Sequence, residues 1–229
     1  MTTFDDIFPE YFTLYRGQAT NIPSASDPEY KIALKLAKNS VRKWDRADGQ
    51  EWNVLWTTLS NTNTPRTIQA GVKTYPITDM RKPPKQITID GSSVAVVEPE
   101  KVDMIASNNV AWFTGSPATG YTLNFRNVTD EMIGKSIDFI YLRKPTEIVD
   151  GSSEIDMSDP SFLIHDMLAA RFTNARNGFA VKVHKQEALT ALQNMKIEDM
   201  SGTYGNSDNL GSYGAGWGRS VGTHNADII

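Results

Sequence analysis

The chain has 229 residues, no cysteine, and 27 acidic against 23 basic residues, which gives a formal net charge of −4. This charge argues against a protein that wraps nucleic acid, and the lack of cysteine excludes disulfides, thiolate nucleophiles and cysteine-ligated zinc. A chain of this length buries roughly 70% of its surface without a metal or disulfide staple. The acidic start MTTFDDIFPE and the lack of an apolar run of about 20 residues predict cytosolic synthesis, with neither a secretion signal nor a membrane span.

The N-terminal part, residues 1–50, is predicted to be helical. Clustered aromatic residues indicate a short first helix followed by a loop. Asp27 and Pro28 are a helix start signal, and apolar residues then recur at helical spacing over residues 28–47. The opposite face of this helix carries a basic stripe of Lys31, Lys35, Lys38, Arg42 and Arg46. The stripe is either a solvated face or a contact with phosphate or with an acidic neighbouring subunit.

Residues 51–150 show the pattern of β structure. Short runs rich in β-branched and aromatic residues alternate with turns about every ten residues, which predicts an antiparallel sandwich or barrel. The candidate strands are 53–59, 66–75, 86–89, 93–97, 110–114, 121–126 and 136–142. Asp90-Gly91 is a hairpin signal between two of them. Trp44, Trp52 and Trp56 are expected to form a shared core where the helix meets this β region.

Residues 151–200 return to helical spacing. One helix is predicted to open after Ser158-Asp159-Pro160 and to close at Asn177-Gly178, and a second helix is predicted over residues 180–199. The apolar positions of the second helix expected to face inward are Val181, Ala188, Leu189, Leu192 and Met195. This hairpin is expected to pack on the helix over 28–47, which makes the β region an insertion into one helical bundle. The predicted fold class is therefore α+β.

The last segment, residues 201–229, is rich in glycine and cannot build a core. It is predicted to be an extended arm whose isolated apolar residues dock into pockets of a partner, with a flexible, solvated tail as the alternative. The expected anchors are Tyr204, Leu210, Tyr213, Trp217, Val221, Ile228 and Ile229. Trp217 is expected to be the strongest of them, because tryptophan is enriched at interface hot spots.

Residues that could carry chemistry form no recognised pattern. The histidines lack the spacing of a metal site, and His165 and Asp166 are helix neighbours that do not face each other. The histidines are His165, His184 and His224. An acidic loop misses the spacing of a calcium site and is interpreted as a helix-capping linker; it comprises Asp150, Glu154, Asp156 and Asp159. No nucleotide or hydrolase motif is present, so we predict a protein that is not an enzyme and holds no metal or cofactor.

The order of elements resembles the head-to-tail connector, or adaptor, proteins of tailed bacteriophages. The likeness covers nearly the whole chain and lies in KIALKLAKNSVRKW, YLRKPTEIV, DPSFLIHDMLAARFTNARNG, HKQEALTALQNMK and the trailing arm. It implies a helical core that makes ring contacts and a C-terminal extension, residues 204–229, that embraces the portal. It further implies a structural virion protein of the neck between capsid and tail, made in the host cytoplasm.

The resemblance also implies the partners. They are the portal protein, a tail or nozzle protein, further copies in a dodecameric ring, and double-stranded DNA that passes through the channel without sequence-specific binding. No membrane partner is implied. The ring would serve as a platform for tail attachment and DNA passage.

Two other functions remain open at this stage. A carbohydrate-binding or host-recognition module of the tail would present Trp112, Phe113 and Tyr121 as an aromatic platform. A DNA-binding packaging factor would use the basic stripe, although the net charge argues against it. The basic residues around Pro83-Pro84, namely Arg81, Lys82 and Lys85, are interpreted as an exposed loop that keeps a turn soluble.

Overall fold

A computed structural model describes residues 2–17, 20–59, 67–107 and 110–205. Within these ranges the chain forms four α-helices and nine short strands, so the predicted α+β class is confirmed. The helices are α1 (Phe4–Arg16), α2 (Pro28–Asp45), α3 (Ser161–Asn174) and α4 (Gly178–Gly205).

Local signals in the sequence explain where the helices begin and end. At the start of α1, the backbone N–H and the hydroxyl of Thr3 both donate to Asp6 Oδ2 at 2.7 Å. Gly17 ends α1 with φ of 70°, a left-handed conformation that glycine adopts without steric cost. Asp27 and Pro28 open α2 as predicted, and α2 ends two residues before the predicted boundary at residue 47.

The helices build one hydrophobic core around α3. α3 contacts α1, α2 and α4, so the predicted packing of the helical hairpin on α2 is confirmed. Trp44 and Trp52 stack in this core with ring centroids 5.0 Å apart, and Trp52 Nε1 donates to the Trp44 carbonyl at 3.1 Å. Trp56 is exposed instead, so the expected tryptophan core holds for two of its three members.

The strands form two sheets, and their buried side chains make a second hydrophobic core. The strands are β1 (Trp56–Thr58), β2 (Thr74–Ile77), β3 (Met80–Lys82), β4 (Gln86–Ile89), β5 (Ser92–Val97), β6 (Ala111–Ser116), β7 (Gly120–Phe125), β8 (Ile137–Asp138) and β9 (Ile140–Arg143). The three-stranded sheet has the order β1-β9-β3, and the six-stranded sheet has the order β2-β7-β6-β5-β4-β8. The sheets include a curled half-barrel.

Several strand predictions need correction. β5 and β6 pair in parallel, so the larger sheet is mixed; a crossover of residues 98–110, with a short 3₁₀ helix, makes this pairing possible. The predicted strand 53–59 begins as a 3₁₀ turn, the strand predicted from residue 66 begins at Thr74, and β3 was not predicted. The hairpin at Asp90-Gly91 is confirmed, with positive φ at both residues as a type I′ turn requires.

Candidate assembly surfaces

Helix α4 has a packed inner face and an outer face that nothing in the described chain covers. On the inner face, Ala188, Ala191 and Met195 are buried in the helical core. The prediction that Leu189 belongs to this face is wrong, because its side chain is 52% exposed. A helix turns by about 100° per residue, so Leu189 lies roughly 120° around the axis from Met195 and outside the inner face.

The outer face of α4 is largely apolar along the length of the helix, and its one charged residue is Lys182 near the N-terminal end. Phe179 is 79% exposed, Ile197 is 66% exposed and Met200 is 61% exposed. We define the α4 outer face as Phe179, Lys182, Val183, Gln186, Leu189, Thr190, Gln193, Ile197 and Met200, all of them exposed. This face extends over about 32 Å of helix. Contiguous exposed apolar surface of this extent typically marks a site of interaction.

Charged residues flank the α4 outer face. Helical geometry places Lys185 along one edge and Glu187 along the other, and both are exposed. Asp199 fixes the C-terminal part of α4. Its carboxylate accepts hydrogen bonds from Gln50 Nε2 and from the backbone N–H of Asn53, both at 2.7 Å. The outer face is therefore held in a fixed position relative to the segment that enters the insertion.

The predicted basic stripe of α2 lies on the surface, and part of it is neutralised. Lys38 forms an ion pair with Glu147, and Arg42 Nη2 lies 4.0 Å from Glu147 Oε1. The hydrogen bond from Lys38 lowers the pKa of the Glu147 carboxyl. Lys31 and Lys35 are exposed nearer the start of the helix, and Arg46 is exposed just after its end. Lys38, one of the five cations of the stripe, is therefore paired with a carboxylate of the same chain instead of being free to bind phosphate.

Ion pairs join the insertion to the helical core. Arg143 Nη2 donates to Asp156 Oδ1 at 2.5 Å, and the backbone N–H of Thr146 donates to Asp156 Oδ2 at 2.6 Å. Both charged side chains are mostly buried. Asp156 thus connects the last strand of the insertion to the segment before α3. Asp156 belongs to the acidic loop that the sequence predicts to be a helix-capping linker, and within this loop it holds the two regions together.

A second pair of contacts acts at the other side of the same junction. Arg81 Nη1 donates to Asp45 Oδ1 at 2.6 Å, and Lys82 Nζ donates to Glu51 Oε1 at 2.5 Å. Burial raises the pKa of the Asp45 carboxyl, and Arg81 opposes that shift. Arg81 and Lys82 lie in β3, so the interpretation of this segment as an exposed basic loop is wrong for these two residues.

The structure brings two histidines together that the sequence placed on separate helices. His165 Nδ1 on α3 and His184 Nδ1 on α4 are 3.0 Å apart, with ring centroids 5.2 Å apart. The ring of Phe172 lies parallel to that of His184 at 5.4 Å. Burial, and secondly the proximity of His165, lowers the pKa of His184. Asp166 does not contact this pair, because it accepts hydrogen bonds from Ser40 and Lys43.

The remaining candidate sites do not form a catalytic or metal centre in the described ranges. No group of three or more metal-ligating side chains occurs among the described residues. In the acidic loop, Asp150 accepts hydrogen bonds from Ser152 and Ser153, while Asp159 Oδ1 accepts the backbone N–H of Ser161 at 2.8 Å. Within the described chain, no helix combines the length and apolar character that crossing a membrane requires.

The three aromatics of the carbohydrate hypothesis do not share a surface. Phe113 is buried in the core of the insertion. In the β6–β7 pairing, Trp112 lies opposite Asn124, whereas Tyr121 lies opposite Gly115, so Trp112 and Tyr121 point to opposite faces of the sheet. The structure therefore provides no aromatic platform from these residues.

The predicted docking arm lies almost entirely outside the described residues. α4 continues through Gly205, six residues beyond the predicted end, so Tyr204 belongs to its last turn. Leu210, Tyr213, Trp217, Val221, Ile228 and Ile229 lie outside the described residues, as does His224. The predicted arm, residues 201–229, therefore overlaps α4 over residues 201–205, and its remainder lies outside the described residues.

No protein-family model matches the chain, and no curated protein sequence matches it significantly.

Proposed function

We propose that the protein is a structural adaptor of a tailed-bacteriophage virion, in which a ring of copies joins the portal to the tail. The observation that carries this proposal is the α4 outer face, a largely apolar surface on a helix whose inner face packs into the helical core. Such a surface has a function in a protein that assembles, because its burial against a partner releases ordered water from apolar area.

The arm supplies the contact with the portal in this proposal. It follows α4 directly, and its isolated apolar residues suit docking into separate pockets of another protein. Each arm pays an ordering cost on binding, so single arms bind weakly. A ring presents many arms at once, and this multiplicity raises the overall affinity for an assembled portal above that for a single portal subunit.

The insertion and the helical core together form the platform for the tail. The Arg143–Asp156 and Arg81–Asp45 ion pairs fix the insertion to the helices. A platform held in this way transmits a defined geometry from the portal to the next component. DNA would pass along the ring without sequence-specific contacts, consistent with the net charge of −4.

Binding to isolated, assembled portal tests the proposal. The full chain should bind portal, and a chain ending at Gly205 should stay folded and lose binding, because both buried cores lie before residue 206. Trp217→Ala should weaken binding by about 2 kcal/mol per arm if Trp217 is a hot spot. Ser212→Ala in the same arm is the matched control and should bind like the wild type.

The outcomes separate the two parts of the proposal. Binding by the full chain that survives removal of the arm would keep the adaptor and refute arm docking. A full chain that does not bind portal would refute the adaptor function itself.

A further inference from the structure

The α4 outer face has a chemical counterpart on a different side of the same molecule. We infer that the α4 outer face of one copy docks onto the exposed surface of α1 and α2 of the next copy. We define this α1–α2 surface as Asp6, Glu10, Leu14, Ile22, Lys31, Ile32 and Lys35, all of them exposed. The inference deepens the proposed ring, because it names the two surfaces that meet between neighbouring subunits.

The contact is head-to-tail, because it joins two different surfaces of the same chain. α3 connects the elements that carry them, since it packs against α4 and also against α1 and α2. When two different surfaces of identical molecules meet, the resulting dimer still has one unoccupied surface of each kind. Further copies can then add until a ring closes, whereas a surface that binds itself stops at a dimer.

Both surfaces have an apolar centre. On the α1–α2 surface, Leu14, Ile22 and Ile32 are the exposed apolar side chains, contributed by α1, the following loop and α2. On the α4 outer face, Phe179 and Ile197 are the most exposed apolar residues. Burial of these side chains against one another would remove apolar area from water on both partners.

The charges at the edges of the two surfaces are complementary. The α1 side carries the acidic Asp6 and Glu10, and the α2 side carries the basic Lys31 and Lys35. The α4 outer face has the converse arrangement, with Lys185 on one edge and Glu187 on the other. In one orientation the lysine edge of α4 meets α1, and the glutamate edge meets α2. Opposite charges at the rim fix orientation and disfavour the reverse docking.

Because the chain has no cysteine, introduced cysteines report this contact without background. The experiment uses the full chain with Gln193→Cys on α4 and Ile32→Cys on α2, treated with a short thiol-specific crosslinker. We expect a ladder of covalent dimers, trimers and larger species from the double variant, and no ladder beyond dimers from either single variant. Gln193→Cys combined with Ser93→Cys, which is exposed on the insertion, is the matched control.

Four results would overturn the inference. A dimer formed by Gln193→Cys alone, as efficiently as by the double variant, would indicate α4-to-α4 pairing. A yield no higher than in the Ser93 control would indicate random collision, and an intramolecular product without a ladder would place the two cysteines on one molecule. A ladder that appears only in a chain ending at Gly205 would indicate that the arm of the same chain occupies the α4 outer face.

Charge reversal provides an independent readout of the same contact. Lys185→Glu and Glu10→Lys should each lower the ladder yield about threefold, and the two together should restore it, because the complementarity is re-created with exchanged signs. Failure of the pair to restore the yield would contradict the proposed orientation.

None of these measurements uses portal, so they separate this inference from the proposed function. A ladder without portal binding refutes only the adaptor function, and portal binding without a ladder refutes only this inference.

Discussion

The helical core and the β insertion each bury their own apolar residues, but they differ in what they show to solvent. On the exposed face of the six-stranded sheet, Thr74, Thr114, Thr122 and Asn124 stand together, and Asn124 Nδ2 donates to Thr114 Oγ1 at 3.1 Å. The helical core presents instead the largely apolar outer face of α4. The insertion also exposes apolar side chains, Met104 and Ile133 among them, but these two lie at the ends of separate short 3₁₀ helices. The helical core is therefore the region whose exposed apolar residues follow one helix face, which a second molecule would complete.

The sharpest test of this contrast compares the two faces of α4. Met195→Asp should destabilise the fold by about 4 kcal/mol, because it removes a buried side chain and places a carboxylate in the core. Ile197→Asp, two residues along on the outer face, should change the free energy of unfolding by less than about 0.5 kcal/mol. Urea unfolding of both variants measures this. A large loss from Ile197→Asp would mean that the outer face is already packed in the free protein.

A second test breaks the connection between the two regions. Asp156→Ala should cost about 2 to 3 kcal/mol, because it leaves Arg143 mostly buried without its carboxylate partner. Glu147→Ala removes the exposed partner of Lys38 and serves as the control, with a loss below about 1 kcal/mol. Unfolding should be followed separately by tryptophan fluorescence and by circular dichroism. Equal losses for both variants would show that the Asp156 contact does not hold the regions together.

The smallest expected effect concerns the histidine pair of the helical core. The pKa of His184 lies below its ordinary value of 6.5 in the folded state, so the folded chain binds fewer protons than the unfolded chain. Stability should therefore be highest above pH 6.5 and should fall as the pH drops through and below that value. His184→Gln should reduce this dependence, whereas His224→Gln in the arm should not. An unchanged pH dependence in His184→Gln would contradict the shift.

Much of the fold could be predicted because its signals are local. Asp27-Pro28 defines the start of α2, and Asp90-Gly91 defines a hairpin, since each depends on the conformations of adjacent residues. The parallel pairing of β5 with β6 could not be predicted in the same way. It depends on contacts across a crossover, where the Arg126 guanidinium donates to the carbonyls of Val102 and Ile105.

The candidate surfaces were harder to predict than the elements that carry them. Apolar residues occur on both sides of α4, so the sequence contains no single apolar stripe that distinguishes inner from outer positions. The sequence therefore predicts an inward position for Leu189, and only the burial of Ala188 and Met195 in the helical core shows the true orientation of α4. The contact between His165 and His184 likewise depends on how two helices are aligned, which the spacing within each helix does not define.

The native mass of assembled portal titrated with this protein tests the central claim most directly. If neighbouring copies contact each other as well as the portal, as proposed, we expect free portal and one fully occupied species, with few intermediates and a fixed number of bound copies at saturation. A broad distribution of occupancies without a preferred number would show independent binding rather than a ring. An absence of any portal-bound species would contradict the adaptor function.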